Sequence, residues 1–597
     1  MDPVAVGFGL AVLAVLLGSA AVVRLLYRPE RPWSEVVRAR LVWGVPWGSI
    51  LVLVGVCCVY LFVQDGVTDF TDPVTIPYRA WSYFSPLGML TASFSHADAG
   101  HLLGNLAGAA TVAPIAEYAW GHYTEDGERA DSWLADPRVR ALVVFPAVVV
   151  AVGLTTSLFA LGPVIGFSGV VFAFAGFAIV HYPIATLVAA VGLQGALLTV
   201  LEALRRPIGV YVAEASPPGP PSWATIAIQG HGLGFFVGIV LGVLVLRRRN
   251  RSPNPFHLWL AVALFGFAKS LWAIYWFGGQ NTFVLLRGPG VVVVAVLAVV
   301  VTVAATGSER PLVPRRLRRE GDSSERSPSE RVLELARGSG RTDGGDPDGL
   351  DRVAAIVRGA RADESDRRYH RYAAFLAVLL VTAALMGMAV PANVLVVEEE
   401  TTAEAAVEIE GYTVTYEENV QNQLVSPVAV GPLEDAVALE SSGVIVSSDE
   451  RQIWLDAVTS RRLAFSGEET VIVGGPGWRE SVTAERTGWE PVGNETVYQV
   501  RLEGPDGDSR LAYESNASRA DVRIDGRTVT VASADGEFVL EVASDDGDEA
   551  DEPTTAPVPT ENESTEADGL EFEYEDGTVY AVSNETEVAV ATEETYD

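Results

Sequence analysis

Three short polar strings interrupt the long apolar stretches of this chain, and their residue types suit one kind of chemistry. The first is His-Ala-Asp-Ala-Gly-His-Leu-Leu-Gly-Asn at 96–105, in which His101 and Asn105 stand four apart and share a helical face. The second is Gly-Phe-Ser-Gly at 166–169, directly after the turn-forming Gly162-Pro163. The third is Gly-His-Gly-Leu-Gly-Phe-Phe-Val-Gly at 230–238, where His231, Gly234 and Gly238 fall on one helical stripe. A serine hydroxyl becomes a nucleophile when an adjacent imidazole takes its proton, and Ser168 with His231 could supply that pair. Donors such as Asn105 and His101 could then meet an oxyanion as it forms. Taken singly, each string has a plainer reading: Gly-x-Ser-Gly packs helices closely, and a lone membrane histidine is more often a packing or proton-relay group than a base.

What joins the strings is the order of the elements that carry them. Apolar runs able to cross a hydrocarbon core of roughly 30 Å occur ten times. Their approximate limits are 4–26, 42–63, 99–120, 139–160, 166–182, 184–204, 225–246, 257–277, 287–306 and 370–390. The first lacks a basic leader and a small-residue cleavage site, so it reads as a span rather than a signal peptide. One span separates the third from the fifth, and one the fifth from the seventh, so the three helices run in the same direction. Each string lies near the start of its helix, which puts all three at one depth. Gly234 and Gly238 form a groove that would let the fifth helix, offering Ser168, Phe172 and Gly176, approach within side-chain hydrogen-bond range.

Charge divides the chain further. The formal net charge is -34, but residues 391–597 hold 48 acidic residues against 10 Arg, leaving 28 acidic against 32 basic elsewhere. Basic residues are almost all arginine, and Lys269 is the single lysine. So acidic an exposed region suits concentrated salt, as in an extreme halophile. Arginine gathers after the first span (Arg24, Arg28, Arg31, Arg38, Arg40), at 247–251, and again at Arg310, Arg315, Arg316, Arg318 and Arg319. Cytoplasmic placement of all three clusters puts the N-terminus and residues 391–597 outside, with Arg205-Arg206 as the exception. Sequons at Asn494, Asn516, Asn562 and Asn584 agree with an exported tail. Cys57 and Cys58, adjacent within a span, read as packing residues rather than a disulfide or metal site.

The combination H-x4-H-x3-N, G-x-S-G and H-x2-G-x3-G, on helices with one span between each pair, resembles the rhomboid family of intramembrane serine proteases. The likeness covers about residues 42–246, with an aromatic-rich loop at 76–98 ahead of the first string. It implies a six-helix core in which Ser168 is the nucleophile and His231 the base, with no acidic third member. His101 and Asn105, with the N–H of Ser168, would line the oxyanion hole, and Gly166 belongs to the same positioning set. Phe172 would stack on His231, and His96 would support the mouth. The loop 64–98 would lie partly in the outer leaflet, and the proline-rich loop 207–224 would cap the site as a gate. The implied partners are transmembrane protein substrates and the bilayer, with no cofactor, metal or nucleic acid. An inactive relative that binds membrane helices would lack the serine or the histidine; a transporter would carry acidic residues centrally in its spans.

The fold expected is therefore an all-α polytopic membrane protein with a β-rich exported C-terminal domain. Residues 1–41 would hold an extra span and a basic loop, 42–246 the core, and 247–308 two further spans. A polar cytoplasmic linker at 309–369, with a short helix at 329–337, would lead to a span at 370–390. Alternating runs such as Gly-Val-Ile-Val-Ser-Ser and Arg-Thr-Val-Thr-Val-Ala-Ser make 391–543 a β-sandwich-like domain. An acidic Thr/Pro-rich linker at 544–568 and a small strand pair in 569–597 would follow.

Overall fold

A computed structural model of the chain describes residues 3–26, 32–124, 132–208, 215–277, 283–307, 347–394, 405–423, 440–544, 553–561, 563–584 and 586–596. The arginine run after residue 309, the helix expected at 329–337, and Asn562 lie outside these residues, as does part of the loop 207–224. All ten apolar runs contain helix: α1 (Pro3–Leu26), α2 (Trp47–Val63), α3 (Ala99–Trp120), α4 (Pro137–Leu158), α5 (Ser168–His181), α6 (Pro183–Arg205), α7 (Ile228–Arg248), α8 (Pro255–Ala268), α9 (Arg287–Thr306) and α10 (Pro347–Asn393). By length and composition, α1, α4, α6, α7, α9 and the His370–Asn393 part of α10 can each cross a membrane. The chain is a multi-pass membrane protein.

Three expected limits are corrected. The second run begins its helix at Trp47, not 42, because Trp43 adopts a left-handed φ of 58° and turns the chain ahead of Pro46. The eighth ends at Ala268 rather than 277: Ser270 is left-handed at φ 57°, and Tyr275–Phe277 pairs with Phe283–Leu285 as a small hairpin, β1 and β2. Helix α10 starts at Pro347, well inside the stretch expected as linker.

Helix α5 is the central post. At 14 residues it spans about 21 Å, less than a hydrocarbon core. Most of its residues, including Gly169, Val170, Phe172, Phe174, Gly176 and Ile179, are buried, as expected of a helix apolar on every side. Its approach to α7 is backbone against backbone. A Cβ on Gly234 would strike the carbonyl of Gly169, one on Gly238 that of Ala173, and one on Gly176 that of Phe235.

At the far end of α3 a buried carboxylate ties helices together. Glu117 accepts from Gly48 N (2.9 Å), Ser49 N (2.7 Å) and Ser49 Oγ (2.6 Å), capping the first turn of α2. His122 Nε2 lies 2.7 Å from Glu117 Oε1, while its Nδ1 accepts from Val42 N at 2.9 Å. Arg249 reaches the same end, donating to Ala119 O at 2.6 Å, a favourable position for a cation.

Beyond residue 405 the chain is β-rich. Strands β3 to β6 (Val407–Ile409, Tyr412–Gln421, Glu440–Ser448, Ile453–Thr459) form one antiparallel sheet in that order. Strands β11 to β14 (Ser518–Ile524, Arg527–Ala534, Glu537–Ser544, Thr554–Pro557) form a second. The third runs β10-β9-β8-β18-β17-β16-β15, with β7 also pairing β8. Its strands are β7 (Glu468–Gly475), β8 (Trp478–Pro491), β9 (Val497–Glu503), β10 (Ser509–Glu514), β15 (Ser564–Ala567), β16 (Leu570–Glu575), β17 (Thr578–Ser583) and β18 (Thr586–Glu593).

Five hairpins turn on an acidic residue followed by glycine, both left-handed, as at Asp525-Gly526 and Asp576-Gly577. This is the turn whose twist matches paired strands. The expected division at 544 and 569 is corrected here. Strands β14 and β15 lie within the supposed linker, and β18 pairs with β8. Leu570, Phe572 and Val579 are buried in one core with Val529, Leu540 and Trp489.

Candidate active site

The site is assembled where α3, α5 and α7 start. Ser168 is the first residue of α5, so its N–H belongs to the turn whose donors have no intrahelical acceptor. The segment before it is non-helical but braced: Gly166 N donates to Ala92 O (2.8 Å) and Ala80 N to Val164 O (3.0 Å). The loop preceding α3 therefore holds the serine turn in place. Gly166 itself has φ +131°, where a side chain would be strained, and a Cβ there would lie 2.6 Å from the His101 ring. Glycine lets that ring lie directly against the turn.

His231 Nε2 stands 2.8 Å from Ser168 Oγ. The Phe172 ring, one helical turn beyond the serine, stacks on the imidazole with centroids 4.3 Å apart and planes 10° from parallel. Such stacking leaves the ring edge, and so Nε2, to face the hydroxyl. The glycine contacts between α5 and α7 set this spacing.

On α3, Asp98 caps the helix by accepting from His101 N at 2.8 Å. Asn105 is buried, and among the described residues its Nδ2 has no hydrogen-bond partner, a costly state for an amide donor. A Cβ on Gly166 would lie 3.6 Å from that Nδ2, which places the donor beside the serine turn. His96 is fully buried, its ring edge-on to His101 at 5.3 Å. Gln64 grips its backbone, accepting from His96 N at 2.7 Å and donating to His96 O at 2.8 Å.

A cavity of about 360 Å³ joins these groups, lined by Ser168, His231, His101, Asn105 and Phe172, together with Gln194 and Lys269. Among the described residues, no Asp or Glu lines it. The structure thus brings together Ser168, His231, His101, Asn105, Gly166 and Phe172, with His96 one layer behind. Among the described residues, no group of three His, Cys, Asp or Glu is arranged to hold a metal ion.

Sequence reasoning missed Glu117 with His122, Gln64 behind His96, and the pair Gln194 and Lys269. A carboxylate in the apolar run 99–120 and a lone lysine in an arginine-only chain were signals available for two of them.

Residues 79–248 match the family model described as Rhomboid domain. No curated protein and no solved structure matches the chain.

Proposed function

Since the chain carries a rhomboid domain and is a rhomboid-family membrane protein, we propose that it is an intramembrane serine endopeptidase, working through a Ser168–His231 dyad on transmembrane proteins. The observation that carries this reading is the 2.8 Å contact between Ser168 Oγ and His231 Nε2 inside a cavity that also holds Asn105, whose Nδ2 has no partner among the described residues.

In this mechanism Ser168 Oγ attacks the scissile carbonyl carbon while its proton passes to neutral His231 Nε2. Asn105 Nδ2, His101 and the Ser168 N–H donate to the oxyanion. As the intermediate collapses, the peptide C–N bond breaks and His231 delivers the proton to the leaving amine. Water, deprotonated by His231, then cleaves the acyl ester and regenerates the serine. Substrates must unwind locally, because a regular helix hides its carbonyls in its own hydrogen bonds. Ten spans, a site near the outer face, an exported tail and a halophilic source complete the reading, supported by the arginine clusters and tail acidity. Protease shaving of intact cells should then remove residues 391–597 alone, and a protected tail would overturn this orientation.

A serine-directed fluorophosphonate should label the detergent-solubilised protein at Ser168 only. Ser168→Ala or His231→Ala should lower cleavage of a single-span reporter by about 10⁴-fold or more, and the double variant should be no worse than either. Asn105→Ala should cost about 10²–10³-fold in kcat with reporter binding retained. Robust cleavage by Ser168→Ala would refute the serine-protease reading.

A further inference from the structure

The single lysine among 597 residues lines the cavity that holds Ser168 and His231. It follows the last residue of α8, a helix beyond the stretch matching the family model. Lys269 Nζ donates to Gln194 Oε1 at 2.6 Å, and Gln194 Nε2 donates to Gly104 O at 3.4 Å. The contacts run from α8 through α6 to α3, on which His101 and Asn105 stand. Among the described residues this neutral amide is the only hydrogen-bond partner of the ammonium, and no carboxylate lines the cavity. Much of the rest of the lining is apolar, including Val112, Val171, Ala175 and Phe265.

An ammonium has three donors, and one is used here. A cation kept in such surroundings without a counter-charge is expensive. Interhelix bracing alone needs no charge, since a neutral donor could serve Gln194 as well. Arginine, used at every other basic position, is a broad planar fork, whereas lysine presents a compact point charge that fits a small cavity. The chemistry that two spare ammonium donors recognise is a carboxylate.

We propose that Lys269 forms a subsite for an aspartate or glutamate side chain of the substrate, bound while the scissile bond lies at Ser168, with Gln194 as the positioning residue that orients the ammonium. The subsite rests on the proteolytic reading above. It makes the protease selective for segments with an acidic residue close to the cleaved bond, and it lowers the cost of drawing that residue below the membrane surface.

The test uses the full-length protein in detergent and a single-span reporter with Asp, Asn or Lys placed in turn at each position flanking the cleaved bond. At one position at least, wild type should cleave the Asp form about tenfold or more faster than the Asn form in kcat/KM. Lys269→Met should bring that ratio close to one, Lys269→Arg should restore part of it, and Lys269→Glu should turn the preference toward the Lys form. No Asp preference at any position would overturn the subsite. So would an equal loss on Asp and Asn forms in Lys269→Met, which would make Lys269 a brace between helices. Fluorophosphonate labelling run in parallel separates the two readings: wild type unlabelled and inactive defeats the protease itself, whereas labelled protein without charge preference defeats the subsite alone.

Discussion

In the membrane half, α5 and α7 meet backbone to backbone at Gly234 and Gly238, where a single methyl group would strike a carbonyl. In the β-rich half the chain turns at Gly507, Gly526 and Gly577, where nothing lies within 4 Å of an added Cβ. The first set of glycines is there for approach and the second for a left-handed φ. The same contrast holds for charge. In the helical half a buried carboxylate has named partners: Glu117 accepts from the N–H groups at the α2 N-terminus. Residues 391–597 carry 48 acidic side chains against 10 arginines, and most of those acids that are described face solvent. Position decides in one half, and solvation in the other.

The two halves are joined as well as contrasted. Ile76 and Trp81, from the loop before α3, are buried in the same apolar cluster as Val414, Val446 and Val473 of the β-rich half. Arg479 donates to Asp72 O at 2.6 Å across the same junction. That loop also braces the serine turn through Ala80 and Ala92, so one segment carries both the site and its neighbour.

Salt should separate the halves most strongly. The Debye length falls from about 10 Å at 0.1 M to about 3 Å at 1 M, so repulsion among exposed acids is screened only in concentrated salt. Lowering salt on the full-length protein should open residues 391–597 to limited proteolysis while the helical half stays resistant and Ser168 stays reactive to fluorophosphonate. Simultaneous cleavage of both halves, or none in the β-rich half, would break the comparison.

The glycines sharpen it next. Gly238→Ala should cost about 3 kcal/mol, because the clash is with backbone that cannot rotate away, and should abolish labelling of Ser168 by displacing His231. Gly577→Ala should cost about 1 kcal/mol, the penalty of a left-handed alanine, and leave labelling unchanged. Equal effects from the two would mean that glycine serves the same purpose in both halves.

This contrast also explains what could be read from the sequence. The site strings were legible because helical period places Ser168, Phe172 and Gly176 on one face and His231, Gly234 and Gly238 on the other. The strands were legible from alternation and Asp-Gly turns. Contacts such as Glu117 with Ser49 and Lys269 with Gln194 join residues 68 and 75 apart, and no local pattern encodes such a meeting. Strand β14 was hidden by its composition. Thr554–Pro557 reads as linker, yet it pairs with β13 as the last strand of its sheet among the described residues, and an edge position tolerates proline. The end of α8 was hidden differently, since apolar residues continue past Lys269 although the helix does not.

The smallest effect tests whether the acidic half is solvated everywhere. Asp456 on β6 is half-buried, and its Oδ2 accepts from Ser441 Oγ at 3.3 Å. Burial raises its carboxyl pKa above the ordinary value, outweighing the hydroxyl's opposing effect. The folded form therefore holds this proton more tightly than the unfolded form. The resulting stability is full below the unfolded value, about 3.9, and is lost as pH rises through the folded one. At neutral pH the ionised Asp456 is a cost, and Asp456→Asn removes it while Ser441 can still donate to the amide oxygen. The variant should raise the Tm of the β-rich half by about 2 °C at pH 7, the scale of a fraction of 1 kcal/mol to 1 kcal/mol in a region of this size. The gain should shrink as pH falls toward the carboxylate range. A gain independent of pH would assign the effect to packing, and a lower Tm at pH 7 would show that the charge of Asp456 is well solvated like its neighbours.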